Sequence, residues 1–426
     1  MRAKIKRGER KRVVVIGGGL GGLRLVKALR KTDFQVVLID KNNYHQFPPL
    51  IYQVSSAGLE PSNISFPFRR SLQDREDFFF RMGEVKSIDG KEKALQTTFG
   101  TVHYDYLVIA AGATTNFFGN ENIERYALPM KTVTEAMNLR NTLLENLEKA
   151  EVTTEEQELQ QLMTVVVVGG GPSGVEIAGA LAEMKRVVVP HDYPDLDSRN
   201  MRIILVNSGD RLLKSMDEAS SARAERDLKS MGVEVMLGKR VTDYSDKVIY
   251  MNDGSTIPTA TVIWVSGIRA CEIASTPEMT KGAGGRIVTD THLRVKGLDG
   301  VFAIGDVSIV EGDEKYPNGH PQLAQVAMQQ ADYVADTLIH NKKAEKAKPF
   351  SYINLGTMAT IGRKKAVAEI GGLKFGGFAA WMLWLVIHLR SILGVRNRIF
   401  VFLNWMWNYV NYKQSLRLIL KSESRK

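Results

Sequence analysis

The chain has 426 residues, 44% of them hydrophobic and 24% charged, which is typical of a globular protein of two or three domains and excludes disordered, collagen-like and coiled-coil chains. The formal net charge of +10 is confined to the end of the chain, because residues 363–426 contain twelve basic and two acidic residues while residues 1–362 contain 45 of each sign. A neutral body with a basic C-terminal module is unlike a protein that coats nucleic acid, and no nucleic-acid partner is expected.

The cysteine count, the N-terminal sequence and the length of the apolar stretches exclude further classes of protein. A single cysteine, Cys271, excludes a disulfide scaffold, a Cys-rich zinc module and electron relay through a cysteine pair. Met1–Arg12 is basic, but only the four apolar residues Val13–Ile16 follow it, too few for a signal peptide. The longest uncharged apolar stretch, Phe375–Leu389, is short for a membrane span.

The first structured stretch has the βαβ pattern of a dinucleotide site. A β-branched run, Arg12–Ile16, precedes a glycine loop, a helical stretch Leu23–Arg30 and a second apolar run, Phe34–Asp40. Such a loop lets the backbone approach a pyrophosphate, which the N–H groups of the helix N-terminus then bind. Asp40 ends the second strand, where a carboxylate holds ribose hydroxyls. The motif glycines are Gly17, Gly19 and Gly22.

A second unit of this kind begins 152 residues later. It comprises a strand Thr164–Val168, a glycine loop, a helix Val175–Arg186 and a strand Arg202–Asn207, with motif glycines Gly169, Gly171 and Gly174. Asn207 stands where an acid would favour unphosphorylated ribose and repel a 2′-phosphate. The unit predicts a nicotinamide dinucleotide site; NADH is the expected nucleotide, and the preference over NADPH stays open.

Three apolar runs elsewhere read as buried strands that end in tight turns. They are Asp105–Gly112, its counterpart Val262–Gly267 after the second unit, and Gly300–Asp306. In a chain with two dinucleotide units, Asp306 is placed to hydrogen-bond the ribityl chain of a flavin; the alternative is a simple turn aspartate.

Together these features resemble the flavoproteins with two dinucleotide-binding domains, in which FAD occupies the first domain and NAD(P)H the second. Three stretches narrow the resemblance to the type II NADH:quinone oxidoreductases, also called alternative NADH dehydrogenases. His45-Gln-Phe-Pro-Pro-Leu-Ile-Tyr-Gln53 is similar to the segment that lies along FAD, and Ala324-Gln-Val-Ala-Met-Gln-Gln330 to the motif beside flavin and quinone. Gly356–Val367 and the Trp-rich basic tail are similar to the membrane-docking region. The departures are Asn207, where the family often has Glu, and Val265-Ser266, where Thr-Ala is frequent.

This resemblance implies an α/β fold with two Rossmann-like domains and a C-terminal amphipathic helical region. The implied limits are 1–120 and 291–350 for the FAD domain, 121–290 for the NAD(P)H domain and 351–426 for membrane docking. The cofactors would be FAD and NADH, with no metal, since no histidine pair has ligand spacing. The implied cofactor-binding residues are Gly17, Gly19, Gly22, Asp40, Lys41, Gln53, Ala111, Gly112, Gly169, Gly171, Gly174, Asn207, Gly267, Gly305, Asp306 and Ala324.

Two residues receive catalytic roles from the same resemblance. Gln325 is expected on the quinone side near the flavin, and the alternative is a polar helix residue that caps a sheet. Glu176, just past the second loop, is expected to relay protons near the reaction centre. Its alternative is a first-turn Glu that complements the helix dipole.

The C-terminal segment has the pattern of interfacial helices. Four of the five Trp lie within 27 residues, and Lys and Arg flank two apolar segments, Phe378–Leu393 and Asn397–Tyr412. In the second, a polar stripe of Asn404, Asn408, Asn411 and Ser415 is predicted opposite Phe400, Leu403, Trp407 and Val410. Basic flanks and interfacial Trp favour helices that lie on an anionic bilayer. A dimer interface and ordinary core helices are the alternatives.

The expected function is therefore a peripheral, non-proton-pumping NADH:quinone oxidoreductase of the respiratory chain, on the cytoplasmic side of a cell inner membrane. Its partners would be a membrane quinone, ubiquinone or menaquinone, and the bilayer surface, and a homodimer is expected. The alternatives are a soluble FAD-dependent NAD(P)H oxidase or ferredoxin reductase and a nucleotide-sensing binding protein. A sulfide:quinone oxidoreductase is excluded because its cysteines are missing.

Overall fold

A computed structural model describes residues 3–6, 8–72, 77–273, 276, 278–340, 348–411 and 417–420, and it describes no side chains for residues 408–411. Its helices, in chain order, are α1 Leu20–Ala28, α2 Ile51–Ser55, α3 Phe68–Ser71, α4 Glu121–Tyr126, α5 Val133–Val152, α6 Glu156–Leu162, α7 Pro172–Asp192, α8 Glu218–Ser230, α9 Ala324–Ile339, α10 Gly377–Ser391 and α11 Val395–Asn411.

The strands that precede the second glycine loop are β1 Arg12–Ile16, β2 Gln35–Asp40, β3 Tyr44–Gln46, β4 Ser65–Pro67, β5 Phe78–Met82, β6 Val85–Asp89, β7 Ala94–Thr97, β8 Gly100–His103, β9 Tyr106–Ile109, β10 Ala113–Thr115, β11 Leu128–Pro129 and β12 Thr164–Val168. Those that follow it are β13 Arg202–Asn207, β14 Val233–Leu237, β15 Val241–Ser245, β16 Val248–Met251, β17 Thr256–Pro258, β18 Thr261–Trp264, β19 Ile268–Ala270, β20 Ile287–Thr289, β21 Val301–Ala303, β22 Ser308–Val310, β23 Thr357–Gly362, β24 Lys365–Ile370 and β25 Leu373–Gly376.

The chain divides into two units. The first comprises Met1–Gln46, Phe66–Thr114 and Ile268–Asn354, and the second comprises Phe47–Ser65, Thr115–Gly267 and Leu355–Lys426. The domain limits given above for cofactor binding stay a prediction.

A parallel five-stranded sheet forms the centre of the first unit, in the order β21-β9-β1-β2-β5. Its strands are near-continuous apolar runs because both faces of a parallel sheet are covered. Val14, Val37 and Leu107, for example, are fully buried in one core cluster. The antiparallel sheet β6-β7-β8 extends this unit.

The second unit repeats this plan. Its parallel sheet has the order β11-β18-β12-β13-β14, beside an antiparallel sheet β15-β16-β17. The two parallel sheets, each with a glycine turn and a helix after its central strand, confirm the predicted α/β fold with two Rossmann-like units. The acidic stretch 151–158 runs into a helix, α6, whose first turn carries Glu156 and Glu158. Acidic residues stabilise a helix N-terminus.

The C-terminal part of the second unit is an antiparallel sheet, β23-β24-β25, followed by α10 and α11. Helix α10 packs on β24 through Ala380 and Ala368, both fully buried. No helix in the described ranges is both long and apolar enough to cross a membrane.

Candidate functional site

The first glycine loop follows β1 in the first unit. Gly17 has a φ of 95°, and a Cβ on it would lie 2.4 Å from the Ala110 carbonyl oxygen. A Cβ on Gly22 would lie 1.9 Å from the Gly17 carbonyl oxygen, so both positions exclude a side chain. At Gly19 a Cβ would meet open space, and Gly19 caps α1 without a side-chain hydrogen bond. The loop thus presents backbone and a helix N-terminus, as a pyrophosphate site requires.

Asp40 at the end of β2 organises this loop. One carboxylate oxygen accepts the Gly18 N–H at 2.7 Å and the other accepts the Asn42 N–H at 2.7 Å. Burial raises the pKa of Asp40, and the two N–H donors and nearby Lys41 oppose that shift. The Lys41 side chain itself is exposed. Asp40 therefore has a structural role in the loop, and it keeps acceptor capacity for ribose hydroxyls.

His45 holds the opposite side of the same loop. Its Nδ1 donates to the Gly18 carbonyl oxygen at 2.8 Å. The ring is buried, which lowers its pKa to about 4, so it is neutral at pH 7. The first residue of the predicted FAD-associated stretch is thus fixed against the first loop.

The ends of β9 and β21 carry the other predicted cofactor residues of this unit. Ala111 and Gly112 follow β9, and Gly112 has a φ of 73°. Gly305 and Asp306 follow β21, and the Gly305 N–H donates to Gln330 Oε1 at 2.6 Å. Sequence reasoning quoted Gln330 within a motif but gave it no role; its burial among polar partners identifies it.

Helix α9 of this unit begins with the stretch Ala324–Gln330 that was compared above with a family motif. A Cβ on Gly21 of α1 would lie 3.0 Å from the Ala327 carbonyl oxygen, so the two helices pack closely there. Ala324 is exposed and Gln325 half-buried, both in the first turn of α9. Gln322, just before the helix, donates to the Asp306 carbonyl oxygen at 2.8 Å. The loop glycines, Asp40, Asp306 and Gln325 therefore all belong to the first unit, and the cradle fits an FAD.

The second glycine loop repeats the first in backbone geometry. Gly169 has a φ of 127°, and a Cβ on Gly174 would lie 1.8 Å from the Gly169 carbonyl oxygen. A Cβ on Gly171 would meet open space, and α7 begins at Pro172 without a side-chain cap. Gly267, after β18, accepts the Asn116 N–H through its carbonyl oxygen at 3.0 Å. This loop fits a second dinucleotide, such as NADH.

Asn207 occupies the position that Asp40 has in the first unit. Its Oδ1 accepts the Gly170 N–H at 3.0 Å, and its Nδ2 donates to the carbonyl oxygens of Gly209 at 3.3 Å and Arg211 at 3.0 Å. The Arg211 guanidinium donates to Met216 O, Lys214 O and Ser221 Oγ, within its own loop. Both side chains are thus engaged by protein groups.

A cavity of about 140 Å³ lies beside α7 in the second unit. It is lined by Glu176 and Glu183 of α7, by Tyr52 and Gln53 of α2, and by the residues Thr360, Arg186, Arg363, Trp381, Trp384 and Trp405. The structure thus places Gln53, predicted to bind the cofactor, with Glu176 in the second unit. Sequence reasoning missed the roles of Tyr52, Thr360 and Glu183 because only the packing of α2 and β23 on α7 brings them together.

Glu176 is one of the two acids that line this cavity. Burial raises the pKa of its carboxyl to about 8, and a hydrogen bond from the Thr360 N–H opposes that shift. At pH 7 the group therefore carries a proton that it can donate. The alternative of a first-turn Glu that complements the helix dipole is wrong, because the first turn of α7 has no acidic residue.

A hydrogen-bond chain joins this cavity to α11. Trp405 Nε1 donates to Gln53 Oε1 at 2.9 Å, and Gln53 Nε2 donates to Tyr52 Oη at 3.0 Å. Tyr52 Oη lies 3.0 Å from Thr360 Oγ1, whose backbone N–H binds Glu176. Burial raises the pKa of Tyr52, so the phenol stays protonated.

Comparison with known proteins places these features in a family. Residues 11–331 match the pyridine nucleotide-disulphide oxidoreductase family, and residues 354–411 match the NDH2 C-terminal domain. The chain is 36% identical to the type II NADH:quinone oxidoreductase NdhA of Mycobacterium tuberculosis, across 93% of this chain and 87% of that protein. It is 31% identical to an internal alternative NAD(P)H-ubiquinone oxidoreductase A1 of Arabidopsis thaliana, across 96% and 86%.

A solved structure shares the fold. NDH2 of Plasmodium falciparum in complex with NADH superposes with a TM-score of 0.86 at 20% identity, covering 97% of this chain and all of that one.

Proposed function

The chain belongs to the type II NADH:quinone oxidoreductases, and from that premise we propose that it oxidises NADH and reduces a membrane quinone without pumping protons. The observation that carries the proposal is the pair of glycine loops, each with an uncapped helix N-terminus, in one chain with the half-buried Gln325 and the acid Glu176. FAD, when bound, supplies the acceptor of the hydride and the donor of two electrons to the quinone. No nucleophilic side chain is required for this chemistry.

Each predicted site residue then has one of two roles: it positions a cofactor or substrate, or it holds a proton. Gly17, Gly19 and Gly22 bind the FAD pyrophosphate by backbone N–H groups, and Asp40 and Asp306 hold its ribose and ribityl hydroxyls. Gly169, Gly171 and Gly174 bind NADH in the same way, with Asn207 and Gly267 at the edge of its site. Gln325 orients the quinone from the first turn of α9, and Glu176 holds the proton that the reduced quinone needs. Ala111, Gly112, Gly305 and Ala324 let the backbone approach the flavin, and Lys41 and Gln53 complete the cofactor set.

Turnover measurements separate this function from the soluble alternatives. The purified flavoprotein should reduce a water-soluble quinone with NADH far faster than it reduces oxygen or a ferredoxin. In a Gln325→Ala variant, reoxidation of the flavin by quinone should slow about tenfold or more, since a positioning contact is lost, while reduction by NADH stays within about twofold. Equal loss in both half-reactions would contradict the role of Gln325, and faster turnover with oxygen or ferredoxin would contradict the function.

The membrane part of the proposal rests on the outer face of α11. Ile399, Phe400, Leu403, Met406 and Trp407 are 47–61% exposed. The opposite face is held by the protein, because Val401 is fully buried and Asn397 donates to the Ser62 and Asn63 carbonyl oxygens. Such an apolar face binds at the headgroup level of a bilayer.

Arg396 adjoins this face, and two further arginines lie near it in the sequence. Arg390, Arg396 and Arg398 are exposed, and the Arg396 guanidinium lies 5.3 Å from the Phe400 ring centroid. Anionic lipids attract such residues by about 1 kcal/mol each. Phe400, Leu403 and Trp407 are exposed on the predicted apolar face and Asn404 is half-buried, while Asn408, Val410, Asn411 and Ser415 lie outside the described side chains. Trp384, expected at the interface, is buried instead.

Vesicle co-sedimentation tests this docking. A Phe400→Ser/Leu403→Ser/Trp407→Ser variant should lose binding to vesicles that contain phosphatidylglycerol by about tenfold or more, since apolar burial is removed. It should still reduce a water-soluble quinone. Val152→Ser, at a side chain that is 79% exposed on α5, is the matched control. Unchanged vesicle binding by the triple variant would contradict docking through α11. The cytoplasmic side of a cell inner membrane and a homodimer remain parts of the proposal.

A further inference from the structure

A second carboxylic acid, Glu183, lines the cavity of Glu176 and takes no part in the roles described so far. The two residues are seven positions apart on α7, two helical turns along the same face, which separates their backbones by about 10 Å. Both border the cavity of about 140 Å³, which has room for several water molecules. Tyr52 lies within electrostatic reach of both acids.

A close approach of β23 to α7 builds this arrangement. Gly179, between the two acids, packs so tightly that a Cβ on it would lie 1.7 Å from the Ile361 carbonyl oxygen. Because of this approach, one backbone N–H of β23 and one of the turn that follows it lie beside the two carboxyls. The Thr360 N–H donates to Glu176, and the Arg363 N–H donates to Glu183 Oε1. Each carboxyl has further acceptor sites that can bind cavity water.

Charged and titratable groups surround Glu183 in this cavity. The groups that face Glu183 are Arg186 and Glu176 of α7, Arg363 of the turn after β23, and Tyr52 of α2. Burial raises the pKa of Glu183, whereas Arg186 and Arg363 oppose that rise. No cation is among the causes of the shift at Glu176. Arg186 is exposed and marks the water-facing end of the cavity.

Resting on the function proposed above, we propose that Glu183 is a proton-relay residue that passes protons from solvent, through cavity water, to Glu176. NADH gives up two electrons and one proton as a hydride, while the quinone takes two electrons and two protons to become a quinol, so each turnover needs one more proton from water. At the Arg186 end of the cavity, an O–H bond of a hydronium ion breaks as a new O–H bond forms on a carboxylate oxygen of Glu183. The same exchange through water protonates Glu176, and no electron moves in either step.

A Glu183→Gln variant tests the relay because its amide oxygen still accepts the Arg363 N–H. Reoxidation of the flavin by quinone should slow about tenfold, less than the ~10²-fold typical of a group that transfers the proton directly. Reduction by NADH should stay within about twofold, and added imidazole should restore much of the lost rate. In the parent protein the reoxidation rate should fall as the pH rises through about 8, where Glu176 loses its proton.

The matched control is Glu369→Gln. Glu369 of β24 also accepts a backbone N–H, from Asp217 at 2.9 Å, and a hydroxyl from Ser220 at 2.6 Å, but it does not line the cavity. It should keep the rate and pH profile of the parent protein. A readout independent of turnover is infrared titration, in which Glu183→Gln should remove one carboxylic-acid band that titrates above the ordinary range of Glu.

The outcomes separate the two proposals. A parent protein whose flavin is not reoxidised by quinone would overturn the proposed function and the relay with it. A parent protein that is reoxidised, with a Glu183→Gln variant of unchanged rate and pH profile, would overturn the relay alone. The relay would also be overturned if Glu183→Gln and Glu369→Gln lost the same rate and imidazole rescued neither. Both carboxylates would then act only by holding the C-terminal sheet.

Discussion

The two glycine loops share one backbone design and differ in the residue that ends the second strand of each unit. In both loops, a Cβ added to one glycine would lie less than 2 Å from a carbonyl oxygen of the same loop, so that position excludes a side chain. A Cβ added to another glycine of the loop would meet open space. Asp40 accepts two N–H groups with a carboxylate, whereas Asn207 accepts one and donates two hydrogen bonds. The first loop is thus held by a charged group and the second by a neutral one. Exchanging the two residues is therefore expected to affect the two loops unequally.

The largest effect is expected from closing either loop with a methyl group. Gly22→Ala places a Cβ 1.9 Å from the Gly17 carbonyl oxygen and Gly174→Ala places one 1.8 Å from the Gly169 carbonyl oxygen. Each clash with backbone costs about 3 kcal/mol. Gly22→Ala should be purified without flavin, while Gly174→Ala should keep its flavin and lose NADH affinity about 10²-fold. Flavin content is measured by flavin absorbance per protein, and NADH affinity is measured by titration. Loss of flavin in Gly174→Ala would contradict the assignment of FAD to the first loop and NADH to the second.

A smaller effect is expected when the first loop receives the residue of the second. In Asp40→Asn, the amide cannot accept both the Gly18 and the Asn42 N–H groups, so one buried donor is left unpaired. That costs about 1–3 kcal/mol, and flavin release should become about 10- to 100-fold more favourable. Dissociation of flavin on dilution measures this. Retention equal to that of the parent protein would show that Asp40 is not needed to hold the loop or the cofactor.

The smallest effect is expected from the reciprocal change. Asn207→Asp adds a negative charge beside the adenosine ribose, which repels a 2′-phosphate. The ratio of kcat/KM for NADH to that for NADPH should rise about tenfold. Arg211→Gln is the control and should leave the ratio within about twofold, because the guanidinium is already bound to Met216, Lys214 and Ser221. A strong preference for NADPH in the parent protein, lost in Arg211→Gln, would contradict this account.

Local pattern was enough to predict both glycine units. Strand, loop and helix in each lie within about forty residues, so periodicity and glycine spacing carry the information. The environment of Glu176 was not predictable, because Gln53 and Trp405 meet only through the packing of distant segments. The apolar pattern of the tail predicted two helices but could not show that Trp384 is buried against the protein while Trp407 faces outward.

The central claim is that one chain accepts a hydride from NADH and passes both electrons to a quinone. The most direct measurement is the absorbance of the bound flavin under anaerobic conditions. NADH should bleach it within the turnover time, and a water-soluble quinone added afterwards should restore it as rapidly. Bleaching without recovery by quinone, or recovery only when oxygen is admitted, would contradict the account.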